Sequence, residues 1–381
     1  MTLAGSTIVF LNNYGGPGLG GGEVQLTYLL RAAVSSGMNV HLVAQRASRL
    51  AMTSQAMGIV VHEMNLDIRG IPLVFAQLRR LLAEIEPDIV QGTGFLTNHL
   101  ARLASPPDSK VVSTVHVEPD ASMFDGGSRL AQFAREAAER VTRNRAHVQV
   151  AVSQAVADRL VAKGVAPGSI RVIHNGVDIA ALREEAGSTS LPEVLLESDY
   201  AHLVTVVSRL EPVKGVVDFL ESVELLPLRF VQGKGLMFAI AGDGSQAAEI
   251  RRRRDSLLAR DHVRLLGALE SAAGLVAAST VVVVPSRSEG FGLVAVEAMA
   301  LGVPVVANAV GGLPEIVKDG VCGRLVRHGD RQSMADAISD LVSDTALRNA
   351  MGEAGRLRAE RHFSSDRMVA EYLELYSELL G

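Results

Sequence analysis

The chain has 381 residues, 48% apolar and 21% charged, which suits a large packed core and excludes a disordered chain. At about 150 residues per domain, that length predicts two or three domains. Lysine and arginine number 37 against 42 aspartate and glutamate, a formal charge of −5, so no broad basic surface is offered to a nucleic acid duplex or an anionic membrane.

Ser6–Leu11 is a short apolar, β-branched run that reads as a strand and is followed at once by a glycine-rich turn. Val24–Ser36 then places Leu26, Leu29, Leu30, Ala33 and Val34 on one helical face, with Gly37 as a C-terminal stop. Val40–Ala44 returns to strand character, and strand–helix–strand at this spacing predicts a right-handed βαβ unit in a parallel sheet. The pattern continues with a helix over Leu73–Ile85, strands at Asp88–Gln91, Lys110–Val115 and His147–Val152, a helix over Ser153–Lys163 and a strand at Ile170–Ile173. Periodicity fades over Ala180–Asp199, which carries Gly187, Ser188, Thr189, Ser190 and Pro192 and reads as a linker. A second series follows: strand His202–Val207, helix Val216–Leu226, strand Leu236–Ala241, helix Ala247–Ala259 and strands Val263–Leu266 and Val281–Val284. Helix Gly292–Leu301 and strand Val303–Ala307 complete it. Four consecutive valines at 281–284 suit a central parallel strand covered on both faces. The fold class is thus α/β, two doubly wound parallel-sheet domains in tandem, 1–185 and 186–364, followed by a C-terminal segment 365–381. In such sheets ligands bind beyond the carboxyl ends of the strands, so the loops after strands are where chemistry is expected.

The single cysteine, Cys322, leaves no internal disulfide and no cysteine-based metal cluster. The N-terminus lacks the basic start and apolar run of a secretion signal, and no stretch reaches the roughly 18 apolar residues of a membrane span. A cytoplasmic protein is expected.

Gly16-Pro17-Gly18-Leu19-Gly20-Gly21 matches the dinucleotide fingerprint GxGxxG after a strand and before a helix. Strand Val40–Ala44 ends in Gln45-Arg46 where that fingerprint wants an acid, although Arg46 would suit the 2′-phosphate of NADP. Six glycines between Gly15 and Gly22 also fit a loop that lets backbone N–H groups close on a phosphate or sugar, or a turn that needs positive φ at one or two places.

The densest chemistry lies in Ser286-Arg287-Ser288-Glu289-Gly290-Phe291-Gly292-Leu293-Val294-Ala295-Val296-Glu297. It follows the valine strand and opens a helix. Glu289 falls on the turn, and Glu297 in the second helical turn, embedded among Val294, Ala295, Val296, Ala298 and Met299, where an acid needs a partner. Two carboxylates and a set of uncluttered amides suit sugar hydroxyls and phosphate respectively.

At this segment the chain resembles the retaining nucleotide-sugar glycosyltransferases of family four, which have the GT-B fold and a signature of two glutamates separated by seven residues. Asn175-Gly176-Val177-Asp178, Ser208-Arg209-Leu210-Glu211-Pro212-Val213-Lys214-Gly215, Ala241-Gly242-Asp243-Gly244 and Gly311-Gly312-Leu313-Pro314-Glu315-Ile316-Val317 are similar to further segments of that family. The resemblance implies two Rossmann-like domains facing across a cleft, with the last helix, Asp366–Leu380, crossing back to the N-terminal domain. It implies that Arg209 and Lys214 meet the donor diphosphate, that Glu289 holds donor-sugar hydroxyls and Glu297 the ribose, and that Gly242 and the amides of Gly290, Phe291, Gly292 and Leu293 contribute to the donor site. Gly21 and Gly22 would close over the diphosphate from the other domain, and His116, after strand Lys110–Val115, would sit near the donor sugar. The catalytic set so implied is His116, Glu289, Arg209 and Lys214. Lys214 stands out further because the chain has five lysines in all.

The implied reaction moves a hexose or N-acetylhexosamine from a nucleotide-sugar, most often UDP-linked, to a hydroxyl of an unidentified small-molecule or glycan acceptor with retention. No two aspartates stand at i, i+2, so the metal-binding Asp-X-Asp of the other glycosyltransferase fold is absent, and neither a metal nor a cofactor is expected. Glu118, Asp120 and Met123–Gly127 are candidates for the acceptor side. Ser128–Arg145 has an apolar helical stripe among arginines; packing on its own domain is favoured over a membrane surface. Arg251–Arg254 reads as a solvated helix face rather than a nucleic-acid patch. Two other functions remain open at this point: an NADP oxidoreductase and a catalytically idle nucleotide-sugar binding protein.

Overall fold

The computed structural model describes residues 3–16, 19–66, 71–116 and 137–381. Its two units are Met1–Gly176 with Ser365–Gly381, and Val177–Ser364. The first unit contains β1 (Thr7–Asn12), β2 (Asn39–Gln45), β3 (Val60–Met64), β4 (Ile89–Gly92), β5 (Lys110–Val115), β6 (Val148–Ala151) and β7 (Ile170–Val172). Among the described residues these form one parallel sheet in the order β3-β2-β1-β4-β5-β6-β7. The alternation of side chains along β1 explains why both faces are covered. Ile8 and Phe10 point into a cluster with Leu26 and Leu30 of helix Gly21–Ser35 and with Met368, Tyr372, Leu375 and Tyr376 of helix Ser365–Leu380. Val9 and Leu11 point the other way, onto Leu78 and Leu82 of helix Ile71–Ile85 and Leu100 of helix Phe95–Ala104.

The second unit repeats the plan with β8 (His202–Val207), β9 (Leu236–Ala241), β10 (Val263–Gly267), β11 (Val281–Val284), β12 (Val305–Asn308) and β13 (Gly323–Val326). Its described strands are parallel in the order β10-β9-β8-β11-β12-β13. Every residue of β9 and β11 is buried, as a central parallel strand requires. In both sheets the strand order reverses beside the first strand of the unit. Those reversals, between β1 and β4 and between β8 and β11, are where this class of sheet opens a ligand crevice at its carboxyl edge.

The structure corrects several expectations. The division expected after residue 185 falls at Gly176/Val177, and the stretch expected to be a linker holds two helices, Ile179–Ser188 and Glu193–Leu196. Helix Ile179–Ser188 has no fully buried side chain and so carries no apolar stripe. Thr189 at its end nevertheless approaches Gly274 so closely that a Cβ there would lie 2.5 Å from the Thr189 carbonyl oxygen. Strand β3 escapes the apolar pattern because none of its residues is buried. The glycine-loop helix begins at Gly21 rather than Val24, without a side-chain cap. The acceptor-side candidates Glu118, Asp120 and Met123–Gly127 lie outside the described residues, as do residues 128–136 of the basic stretch. From the rest of that stretch, Glu139 packs inward on Arg102 at 2.7 Å and His99 at 3.1 Å, while Val141 is exposed. Arg253, of the Arg251–Arg254 run, pairs with Glu221 and Glu224.

Candidate functional site

In the second unit the crevice is built from the loops after β8 and β11. After β8 the chain runs through Ser208-Arg209-Leu210-Glu211 into a single 3-10 turn, Pro212–Lys214, and then Gly215 with φ +66°. That left-handed residue lets the chain turn straight into helix Val216–Leu225, and it lies against the loop after β11: a Cβ on Gly215 would stand 2.1 Å from the Pro285 carbonyl oxygen. The loop after β11 is fixed from behind, because the Asn308 amide donates to the carbonyls of Pro285 (2.8 Å) and Ser286 (3.1 Å). Gly311 closes the other side; a Cβ there would fall 1.7 Å from the Glu289 carbonyl oxygen, which accepts the Gly312 N–H at 3.2 Å.

These supports bring together two side chains 75 positions apart. The Lys214 ammonium donates to Glu289 Oε2 at 2.7 Å, and the Ser286 hydroxyl donates to the same oxygen at 3.1 Å. Both partners are mostly buried, at 19% and 13% side-chain exposure, so the charge pair sits in a partly desolvated crevice rather than on open surface. Arg209 is exposed and has no ion pair among the described residues, which leaves a cation free at the same edge. Neighbouring Glu211 is held below its ordinary range by hydrogen bonds from Ser245 and, more weakly, by the Arg209 charge. Gly242, at φ +140°, is needed for contact between the loops after β8 and β9: its Cβ would stand 1.8 Å from the Ser208 carbonyl oxygen.

Helix Leu293–Ala300 starts from Gly292 at φ +114°, and its first N–H groups have no acceptor within the helix. Gly290 and Phe291 are buried; the Phe291 ring packs edge-on to Phe363 at 5.8 Å, so its side chain anchors the loop. Leu293 is partly buried. Glu297 is partly buried, and among the described residues its carboxyl has no hydrogen-bond or ion-pair partner. Burial first, and the charge of Glu185 second, raise it to about 7. It therefore holds its proton well above the ordinary carboxylate range.

In the first unit, Gly21 and Gly22 open the helix over Gly21–Ser35. None of the described glycines Gly15, Gly16 and Gly20–Gly22 has positive φ, so none of them serves a left-handed turn. A Cβ on Gly16 would meet the Tyr14 hydroxyl at 2.4 Å, and one on Gly20 the Glu23 carboxylate at 2.6 Å. Gly22 faces His116, whose Nε2 would lie 3.5 Å from an added Cβ. Burial pushes the His116 imidazole down to about 4, so it is neutral at pH 7 and offers a hydrogen bond rather than a charge. Beneath it, Thr114 Oγ1 accepts from Gln91 at 3.0 Å, with the Tyr372 hydroxyl 3.4 Å away. The unit's own switch point holds residues that sequence reading misses. Asn12, the last residue of β1, donates to Glu23 at 3.0 Å and to Thr93, just past β4, at 3.1 Å. The available signal is an acid in the first turn of the glycine-loop helix.

Comparison with known proteins agrees with this architecture. The family model described as Glycosyl transferases group 1 matches residues 189–358, and the model Glycosyltransferase Family 4 matches residues 19–181. The N-acetyl-alpha-D-glucosaminyl L-malate synthase of Bacillus anthracis is 30% identical over 203 residues, 53% of this chain and 50% of the relative. A D-inositol 3-phosphate glycosyltransferase of Nocardioides sp. is 35% identical over 224 residues, 55% of this chain and 48% of the relative. The matches thus span about half the length of these relatives. HepE of Anabaena, solved in complex with UDP, shares the fold with a TM-score of 0.81 at 22% identity, covering 98% of this chain and 100% of that one. The two family models between them take in strands β2 to β13 and every donor-side motif, and the glycine fingerprint Gly16–Gly21 runs into the start of the second model. The chain belongs to the family-four type of GT-B glycosyltransferases.

Proposed function

We propose that this protein is a retaining glycosyltransferase that takes a hexose or N-acetylhexosamine from a UDP-sugar, without a metal ion, and passes it to a hydroxyl of a small polar acceptor. The observation that carries the reading is the Lys214–Glu289 pair, held at 2.7 Å at the switch point of the second unit. In this reading Lys214 and Arg209 meet the diphosphate and offset the charge that grows on it as the C1–O bond breaks. Glu289, oriented by Lys214 and Ser286, accepts from sugar hydroxyls. The helix N-terminus at Gly292 and the nearby loop amides receive a phosphate oxygen or the sugar. Glu297 accepts from the ribose hydroxyls. The acceptor oxygen bonds to C1 on the face the diphosphate leaves, and the departing phosphate oxygen takes the acceptor proton. Within the first unit, the neutral His116 beside Gly22 offers a hydrogen bond to a bound hydroxyl.

The relatives narrow the search without naming the substrates. One is an inositol-phosphate glycosyltransferase by its name, another joins N-acetylglucosamine to malate, and HepE was crystallised with UDP. The direct experiment is turnover of UDP-glucose and UDP-N-acetylglucosamine against a panel of cyclitols, hydroxy acids and simple glycosides, in EDTA and in magnesium. Release of UDP with an α-linked product in EDTA supports the proposal. Turnover confined to magnesium removes the metal-independent part, and an inverted product removes retention.

A further inference from the structure

We propose that Asp218 is a positioning residue for the donor site, acting through Arg287 to set the Glu289 loop against Lys214; this rests on the transferase reading above. Lys214 and Glu289 arrive on separate loops, so their approach depends on how those loops are held together. Arg287, two residues before Glu289, makes that connection twice. Its backbone N–H donates to the Val213 carbonyl at 2.8 Å, next to Lys214. Its guanidinium then grips Asp218 in a bidentate fork, Nε to Oδ2 at 2.7 Å and Nη2 to Oδ1 at 3.0 Å.

Asp218 lies in the first turn of helix Val216–Leu225, four residues after Lys214, so the fork joins the element behind one site residue to the loop of the other. Its side chain is 13% exposed and takes a second cation, Arg331, at 3.8 Å, while Arg331 itself reaches Glu221 at 2.7 Å and Arg253 reaches Glu221 at 3.2 Å. The carboxylate thus faces cations from two sides. The hydrogen bonds to Asp218 outweigh partial burial and raise Arg287 above its ordinary value, so it stays a cation throughout. A planar fork fixes direction as well as distance, which a single-point ammonium does not. An ordinary half-exposed ion pair contributes little to stability, so the main consequence of this one is geometric. Small displacements of preorganised groups cost far more in the chemical step than in ligand binding.

The test compares Asp218→Asn, which keeps shape and loses charge, with Asp218→Glu, which keeps the charge, and Arg287→Lys, which keeps charge but loses the fork. The measurements are donor turnover, thermal midpoint and backbone hydrogen exchange over residues 285–292. For Asp218→Asn and Arg287→Lys, kcat is expected to fall about 10–100-fold with the donor KM within about threefold, faster exchange in the loop, and a thermal midpoint within a few degrees of the parent. Asp218→Glu is expected to recover part of both kcat and protection. A kcat within about twofold of the parent in Asp218→Asn, or equal losses in kcat, KM and thermal midpoint with no recovery in Asp218→Glu, would overturn the proposal. If the unmodified protein turns over no donor and binds no UDP, the transferase reading fails; unchanged loop exchange in Asp218→Asn then also refutes the clamp.

Discussion

Lys214 and Glu289 show how far single residues carry the account. Each motif is visible in the chain, and the basic segment and the glutamate pair announce charge complementarity, but only the fold shows that they meet. Removing the ammonium leaves Glu289 mostly buried beside Ser286 alone, and removing the carboxylate leaves a cation facing a loop built for an acid. Lys214→Ala and Glu289→Gln are each expected to lower kcat by at least about 100-fold, the scale of losing one preorganised charge at a developing oxyanion, with the fold retained by circular dichroism. Full turnover in either variant would place the chemistry elsewhere. His116 makes a different case. Its imidazole is held near 4 by burial, so the native state resists a proton that the unfolded chain accepts below about 6.5. Stability from this residue is therefore present above about 6.5 and is lost as pH falls toward 4; His116→Asn is expected to flatten that limb of a stability–pH curve measured by urea unfolding.

Glu297 runs in the opposite direction. Raised to about 7, it holds its proton in the native state over a range where the unfolded chain has lost it, so its contribution is present below about 4.5 and lost as pH rises through 7. Since the ionised carboxyl is the better acceptor for ribose hydroxyls, UDP is expected to bind more tightly as pH rises from about 6 to about 8, and to release a proton on binding. Calorimetry in two buffers of different ionisation enthalpy reads that proton directly. The terminal phosphate of UDP also ionises at about 6, so Glu297→Gln should keep that part of the pH dependence and lose the rest; equal proton release in the two proteins would remove Glu297 from the nucleotide site.

At the scale of elements, legibility follows burial. The strands β1, β8, β9 and β11 are mostly apolar and stand out in the chain, because a parallel strand covered on both faces has few polar positions to interrupt it. Strand β3 does not, since His62 and Glu63 sit at a half-exposed sheet edge where no apolar alternation is required. Helix Ile179–Ser188 is hidden in the sequence for the same reason. Pairings are less visible than elements. Asp218 reads locally as an ordinary acid in a helix's first turn, and only the 69-residue contact with Arg287 gives it a further role. Likewise Arg102 looks like a surface cation on helix Phe95–Ala104, yet its side chain is 1% exposed and is shared among Ser113, Gln149 and Glu139. Despite burial, hydrogen bonds from His99 and Arg102 hold Glu139 at about 2. Arg102→Ala strands that carboxylate and is expected to cost about 3 kcal/mol of stability in urea unfolding, in the range for breaking a buried pair. A change below about 1 kcal/mol would show the pair to be no more than a surface contact.

Over the whole molecule, one plan used twice explains where chemistry collects. Both units are doubly wound, and in both a cluster of polar side chains forms at the carboxyl edge beside the reversal of strand order. Asn12, Glu23 and Thr93 form it in the first unit, and Lys214, Ser286 and Glu289 in the second. Sequence motifs locate the second group and not the first, because a dinucleotide-like glycine loop suggests special backbone conformation where none of its described glycines has positive φ. No described helix is long and apolar enough to cross a membrane. The central claim is that the second unit is a nucleoside-diphosphate-sugar site, and the most direct measurement is thermal unfolding of the protein with UDP, GDP, ADP and NADP in EDTA. At about 100 times its dissociation constant, UDP is expected to stabilise the native state by about 2.7 kcal/mol, and Lys214→Ala is expected to lose most of that shift. A shift with NADP alone, or a UDP shift undiminished in Lys214→Ala, would contradict the account.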